Sequence, residues 1–178
     1  MTIRVLIADD HPLVRDGLRL SIQHSEKDIE VVAEVSDGLE ALKAAESCAI
    51  DVFILDITMP KLNGLDTARL LLNKRPERKI IILSLHDSRA LVEKAMEVGA
   101  RGYLTKETAS RNVLESIQEV YAGNIYLSPD IAHILVERAI GRKSKTQGTE
   151  PYALTGQERK VLQLIAEGRT TKEIALEL

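Results

Sequence analysis

Asp51-Val52-Phe53-Ile54-Leu55-Asp56 is the stretch on which the fold turns. Four apolar residues lie between two carboxylates, and Thr58, Met59 and Pro60 follow closely. A short apolar run bounded by turn signals reads as a strand buried on both faces of a parallel sheet. Asp56 then falls at the strand's C-terminal end, and ligands of open α/β sheets bind outside those ends. An acid delivered there is either a cap for the next helix or a reacting group. Asp51, at the other end, reads as a turn residue.

The same pattern repeats on both sides. Ile3 to Ala8 is a strand run closed by Asp9-Asp10, and Pro12 suits the first turn of a helix through Leu13, Val14, Leu18 and Ile22. Ile29 to Val35 is rich in β-branched residues and reads as a strand. Asp37-Gly38-Leu39-Glu40 resembles a capping box opening a second helix. Asn63-Gly64 is a turn signal before a third helix that closes ahead of Pro76. Lys79 to Leu83 is a strand ending at Ser84, and a fourth helix stops at Gly99. Gly102 to Thr105 is a short strand ending at Lys106, and a fifth helix stops at Gly123. Five strands alternating with five helices is the α/β pattern.

The 178 residues carry 44% hydrophobic and 29% charged side chains and a net charge of −3, which excludes neither a globular enzyme nor a signalling domain but argues against a nucleic-acid coat or a membrane-surface protein. One cysteine, Cys48, excludes an intramolecular disulfide and reads as a small packing residue. No apolar run approaches membrane-spanning length and the N-terminus enters a strand directly, so the expected location is a reducing, cytoplasmic compartment. Residues 129–141 read as a further helix and 142–151 as a polar linker. Two capping boxes, Thr155-Gly156-Gln157-Glu158 and Thr170-Thr171-Lys172-Glu173, then open two short helices separated at Gly168.

If the strands lie parallel, Asp9, Asp10, Asp56, Ser84 and Lys106 share one rim. Crowded carboxylates repel, so a cation must sit among them, and Mg²⁺ suits hard oxygen ligands while accepting a substrate phosphate. Asp56 could then attack phosphorus, with Mg²⁺, the Ser84 hydroxyl and the Lys106 ammonium holding the equatorial oxygens. Taken singly, each residue has a plainer role: a loop start for the acids, a turn for Ser84, a solvated charge for Lys106. Tyr103 reads as a half-buried core tyrosine or as a side chain that turns inward when Ser84 moves. His11 and His86 read as loop residues, since no second histidine stands at ligand spacing.

Asp9-Asp10, Asp56-x-x-Met59-Pro60-x-x-x-Gly64, Ser84 and Gly102-Tyr103-x-x-Lys106 resemble the receiver domain of two-component response regulators, over residues 1–125. The segment 153–178 resembles the opening of a LuxR-type helix-turn-helix, and the combination resembles the NarL/FixJ family. The resemblance implies a flavodoxin-like (CheY-like) five-stranded parallel sheet in the order 2-1-3-4-5, a helical and flexible linker over 126–152, and an all-α output domain. It implies phosphotransfer from a sensor histidine kinase to Asp56 with Mg²⁺ bound by Asp10, Asp56 and the Thr58 backbone carbonyl, and by Asp9 mostly through water. Ser84 and Tyr103 would be the switch pair and Lys106 the phosphate-binding lysine. Such a protein catalyses only its own phosphorylation and dephosphorylation, dimerises on phosphorylation and regulates transcription through DNA. Glu107 stands where many receivers have proline.

Other readings compete. A phosphatase with an aspartyl-phosphate intermediate would want an acid at the position of Thr58. A dinucleotide-binding domain would want glycines after the first strand, where the chain reads ADDHPLV. An interaction module with an unused site would fail to respond to beryllofluoride. In the helix-turn-helix pattern the base-reading helix follows the region that ends at Leu178. The expectation is that this chain binds DNA specifically only in a full-length form. A gel shift at moderate salt should therefore show no operator complex, and a sequence-specific shift would contradict this reading.

Overall fold

The computed structural model describes residues 2–132. Six strands, β1 (Ile3–Ala8), β2 (Ile29–Val35), β3 (Val52–Asp56), β4 (Lys79–Ser84), β5 (Gly102–Thr105) and β6 (Tyr126–Leu127), form one sheet. All pairs are parallel and the order is β2-β1-β3-β4-β5-β6. Between them run α1 (Pro12–Gln23), α2 (Gly38–Ser47), α3 (Gly64–Lys74), α4 (Arg89–Val98) and α5 (Lys106–Ala122).

Strand alternation divides the core into two layers. Leu6, Phe53, Leu55, Ile80 and Ile82 pack with Ala41, Leu65, Leu71, Leu91 and Val92 of α2, α3 and α4. Val5, Ile7, Ile54, Ile81 and Leu83 pack with Leu18, Ile22, Val113, Ile117 and Val120 of α1 and α5. Every residue of β3 is buried. At about 1.5–3 kcal/mol for each large apolar side chain removed from water, this fully buried strand is a firm mount for Asp56.

Local signals explain the helix starts. Pro12 stands in the first turn of α1. Asp37 accepts the Glu40 N–H at 2.9 Å, and Glu40 reaches back to the Ser36 N–H at 3.0 Å. Asn63 accepts the Asp66 N–H at 2.8 Å, so the Asn-Gly pair is a helix cap here. Gly64 is there because α3 starts against the acceptor strand: a Cβ at this position would lie 2.1 Å from the Asp56 carbonyl oxygen.

The structure corrects three readings. The sheet has a sixth strand, Tyr126–Leu127, paired with Gly102 and Tyr103. Asp51 is not an idle turn residue, because both its oxygens accept from the Arg4 guanidinium at 2.9 Å. Cys48 is exposed. Residues 129–132 are helical, as expected; the rest of the 129–141 helix, the 142–151 linker and the 153–178 helix-turn-helix lie outside the described residues.

Two glycines separate close packing from open surface. Gly17 on α1 has nothing within 4 Å of a built Cβ. Gly17→Ala should raise stability to urea by up to about 1 kcal/mol through helix propensity. Gly64→Ala should lower it by about 1–3 kcal/mol through overpacking. Equal effects of the two substitutions in urea unfolding would contradict this placement of α3.

Candidate functional site

Strand register assembles the rim. Ala8 lies opposite Leu55, Asp56 opposite Leu83, and Ser84 opposite Thr105. The residues at or just past these ends are Asp9, Asp56, Ser84 and Lys106. Lys106 is the first residue of α5 and not the last of β5, with Thr105 as the N-cap. Asp9, Asp10, His11 and Asp56 can each offer one ligand atom, and these atoms lie within 4.8 Å of one another.

Lys106 Nζ stands 2.8 Å from Asp9 Oδ2 and 2.8 Å from Asp56 Oδ2. All three groups are buried, and the lysine side chain is only 6% exposed. These contacts are charge pairs without hydrogen-bond alignment, so buried polar capacity remains at Asp9 Oδ2, Asp56 Oδ2 and Lys106 Nζ. One cation facing two carboxylates, with Asp10 beside them, leaves an excess of negative charge. A hard divalent cation fits that donor set, since it takes carboxylate oxygens and neutralises them.

Burial pushes the Asp56 carboxyl up to about 6; the Asp9 charge adds to the rise, while Lys106 and the Thr58 backbone N–H oppose it. Burial pulls Lys106 down, but the Asp56 and Asp9 carboxylates at 2.8 Å outweigh it and hold the ammonium above its ordinary value. Thr58 is exposed, on the loop that follows β3.

Ser84 is buried at 2% exposure, and its Oγ accepts the His86 N–H at 3.0 Å. Tyr103 is fully buried and donates from its hydroxyl to the His86 carbonyl at 2.8 Å. The two expected switch residues therefore grip opposite sides of one residue's backbone in the loop between β4 and α4. Tyr103 is more buried than the half-buried reading of it.

The structure thus gathers Asp9, Asp10, Asp56 and Lys106 directly, sets Ser84 beside them by register, and places Tyr103 one loop away. Sequence reading passed over His11. Its Nδ1 is 2.7 Å from Asp10 Oδ1 and 3.2 Å from Asp9 Oδ1, and its N–H donates to Asp9 at 2.8 Å. The adjacent Asp-Asp-His triplet was the available signal. Among the described residues no helix is long and apolar enough to cross a membrane.

Residues 5–118 match the family described as the response regulator receiver domain. The transcriptional regulatory protein UhpA of Salmonella typhimurium is 40% identical over 177 residues, covering 99% of this chain and 82% of that protein. The response regulator UvrY of Escherichia coli is 36% identical over 177 residues, covering 99% of this chain and 79% of that protein. A two-component response regulator of the LuxR family from Aurantimonas is similar in structure, with a TM-score of 0.73 and 32% identity over 79% of this chain and 99% of that one. A parallel sheet that ends in an acidic rim, a buried lysine among the acids, and a match across most of that sheet all lead to one assignment: the chain belongs to the two-component response regulators of the NarL/FixJ family.

Proposed function

We propose that Asp56 is the aspartate that takes the phosphoryl group in this response regulator, from a sensor histidine kinase. The observation that carries the proposal is the buried Asp9–Lys106–Asp56 contact at the end of the central strand, with both ion pairs at 2.8 Å. An Asp56 Oδ attacks phosphorus, the P–N bond to the kinase histidine breaks, and the imidazole leaves with the electron pair. Lys106 is already in reach of Asp56 and meets an oxygen of the incoming group. The Ser84 hydroxyl accepts one N–H and keeps its proton to donate to a second oxygen. The chain's own contribution is position and charge, which is most of what phosphoryl transfer needs. On this reading it catalyses only its own phosphorylation and dephosphorylation.

The residues fit Mg²⁺. Asp9 is committed to Lys106 and His11, whereas Asp10 is 34% exposed and Asp56 has an unaligned oxygen. Asp10 and Asp56 would bind the ion directly, with the Thr58 carbonyl, and Asp9 mostly through water. Mg²⁺, when bound, supplies neutralisation of the carboxylates and of the phosphoryl oxygens. Ser84 and Tyr103 form the switch pair, joined through His86. On this reading the downstream consequences are dimerisation and control of transcription through DNA, in a cytoplasmic setting.

Asp56→Asn should abolish labelling by acetyl phosphate with Mg²⁺, and chelation of the metal should do the same to the unchanged protein. Lys106→Ala should slow labelling about 10²–10³-fold, the range for losing one preorganised charge contact. Undiminished labelling of Asp56→Asn, read by intact mass, would remove Asp56 from the reaction.

The raised carboxyl gives a second test that needs no phosphodonor. In the folded, metal-free chain Asp56 titrates near 6, above its ordinary value of 3.8. The folded state therefore binds this proton more tightly than the unfolded one. Stability from this group is fully present below about pH 4 and is lost as pH rises through about 6. Asp56→Asn should stabilise the metal-free protein by about 1–3 kcal/mol at pH 7.5 and by much less at pH 4. A pH-independent difference in urea unfolding would contradict the burial penalty.

A further inference from the structure

Residues 126–131 lie beyond the span that matches the receiver family, yet they are built into the receiver. Tyr126 and Leu127 pair with Gly102 and Tyr103, and the Ser128 N–H donates to the Tyr103 carbonyl at 3.1 Å. The chain then turns back across the start of α5. Ile131 is 1% exposed and sits in the same apolar cluster as Tyr103, Leu91 and Val92. Asp130 Oδ2 accepts the Thr105 hydroxyl at 2.7 Å, and Thr105 Oγ1 lies 2.8 Å from Thr108 Oγ1. Thr105 has one hydroxyl proton, so with Asp130 as acceptor the Thr108 hydroxyl donates to it.

Thr105 holds an unusual position. It is the last residue of β5, the register partner of Ser84, the N-cap of α5 and the residue before Lys106. The two side chains that would grip a phosphoryl group on Asp56 therefore flank its backbone, one across the sheet and one along the chain. Its hydroxyl is spent on a segment outside the site.

We propose that residues 126–131 form a latch on the receiver, closed by the Thr105–Asp130 hydrogen bond and the buried Ile131, and that occupation of Asp56 loosens it. This rests on the reading of Asp56 as the acceptor. Lys106 must share its charge with the arriving oxygens, and Ser84 is drawn to the same group. Both movements bear on Thr105, while the buried Ile131 fixes the chain next to the half-buried Asp130. A charge-assisted bond of 2.7 Å weakens over a few tenths of an ångström. Burial pushes the Asp130 carboxyl up, but the nearby Ser128 hydroxyl, the Thr105 hydrogen bond and the backbone N–H groups bring it below its ordinary value, so the acceptor is ionised. The coupling is reciprocal: a chain without the latch bond favours the occupied site.

The test uses the 178-residue chain, with Thr105→Val to delete the hydroxyl, Asp130→Asn to weaken the acceptor, and Thr105→Ser to restore the bond. Hydrogen exchange of 126–132 and the affinity for beryllofluoride with Mg²⁺ are both read. In the unchanged protein beryllofluoride should speed exchange of 126–132 about tenfold. Thr105→Val should start from the fast rate, respond little, and bind beryllofluoride about fivefold more tightly, the equivalent of one ordinary hydrogen bond. Asp130→Asn should fall between, and Thr105→Ser should match the unchanged protein. If acetyl phosphate labels Asp56 but exchange at 126–132 does not move, or if Thr105→Val leaves the affinity unchanged, the latch is wrong and the acceptor stands. If Asp56 is not labelled at all, both are wrong.

Discussion

Lys106 Nζ sits 2.8 Å from Asp9 and 2.8 Å from Asp56, and nearly every constraint on the upper rim leads back to that buried ammonium. Removing it would leave two carboxylates facing each other out of water, an arrangement that costs several kcal/mol or forces one of them to stay protonated. Keeping it requires that β1, β3 and β5 run parallel with their ends level, since the three groups come from residues far apart in sequence. The register supplies this: Ala8 meets Leu55, Leu83 meets Asp56 and Leu104, and Thr105 meets Ser84. A one-residue slip of any of these strands would turn its site residue to the other face.

The opposite rim shows the complementary electrostatics. Arg78 donates to the carbonyls of Leu71 and Ala45 in the last turns of α3 and α2. Lys79 donates to the Tyr121 carbonyl near the end of α5, and Arg101 to the Gly123 carbonyl just past it. In a parallel α/β sheet the helix C-termini gather at the strand N-terminal ends and carry partial negative charge, so cations serve there as caps. The helix N-termini gather at the rim that holds Asp9, Asp10 and Asp56 and favour negative charge. Acid on one rim and base on the other is thus one consequence of chain direction.

Much of this was legible in the residues. Phe53 to Leu55 and Ile80 to Leu83 are uninterrupted apolar runs, and only a strand covered on both faces accommodates them. The rim followed from the polar residue that ends each run. The exceptions have physical causes. A two-residue strand such as Tyr126–Leu127 has no period to detect, and its pairing comes from the exposed edge of β5. Tyr103 is fully buried because that same strand and Ile131 cover it, which nothing local to Gly102-Tyr103-Leu104 reports. Lys106 moved from strand end to helix start because Thr105 serves as both the last strand residue and the cap. His11 was set aside for want of a second histidine, although its partners are the two carboxylates just before it.

The acids and the lysine of the site are held together at an electrostatic cost. Asp56 is buried and carries a carboxyl raised to about 6, and near neutral pH its ionised form is maintained against that penalty by Lys106. Three buried polar atoms in the cluster still lack aligned partners. A ligand that satisfies them would relieve that cost, and on the proposed function its arrival would bias the conformations of the elements packed around it. The elements around Asp56 are suited to transmit the shift. Gly64 brings α3 against its carbonyl, the Ser84–His86–Tyr103 bonds tie the β4–α4 loop to β5, and Thr105 ties β5 to the chain beyond it. A solvent-exposed aspartate at the same position would lack the Lys106 contact that the proposed transfer uses, and its modification would have no packed neighbour to move.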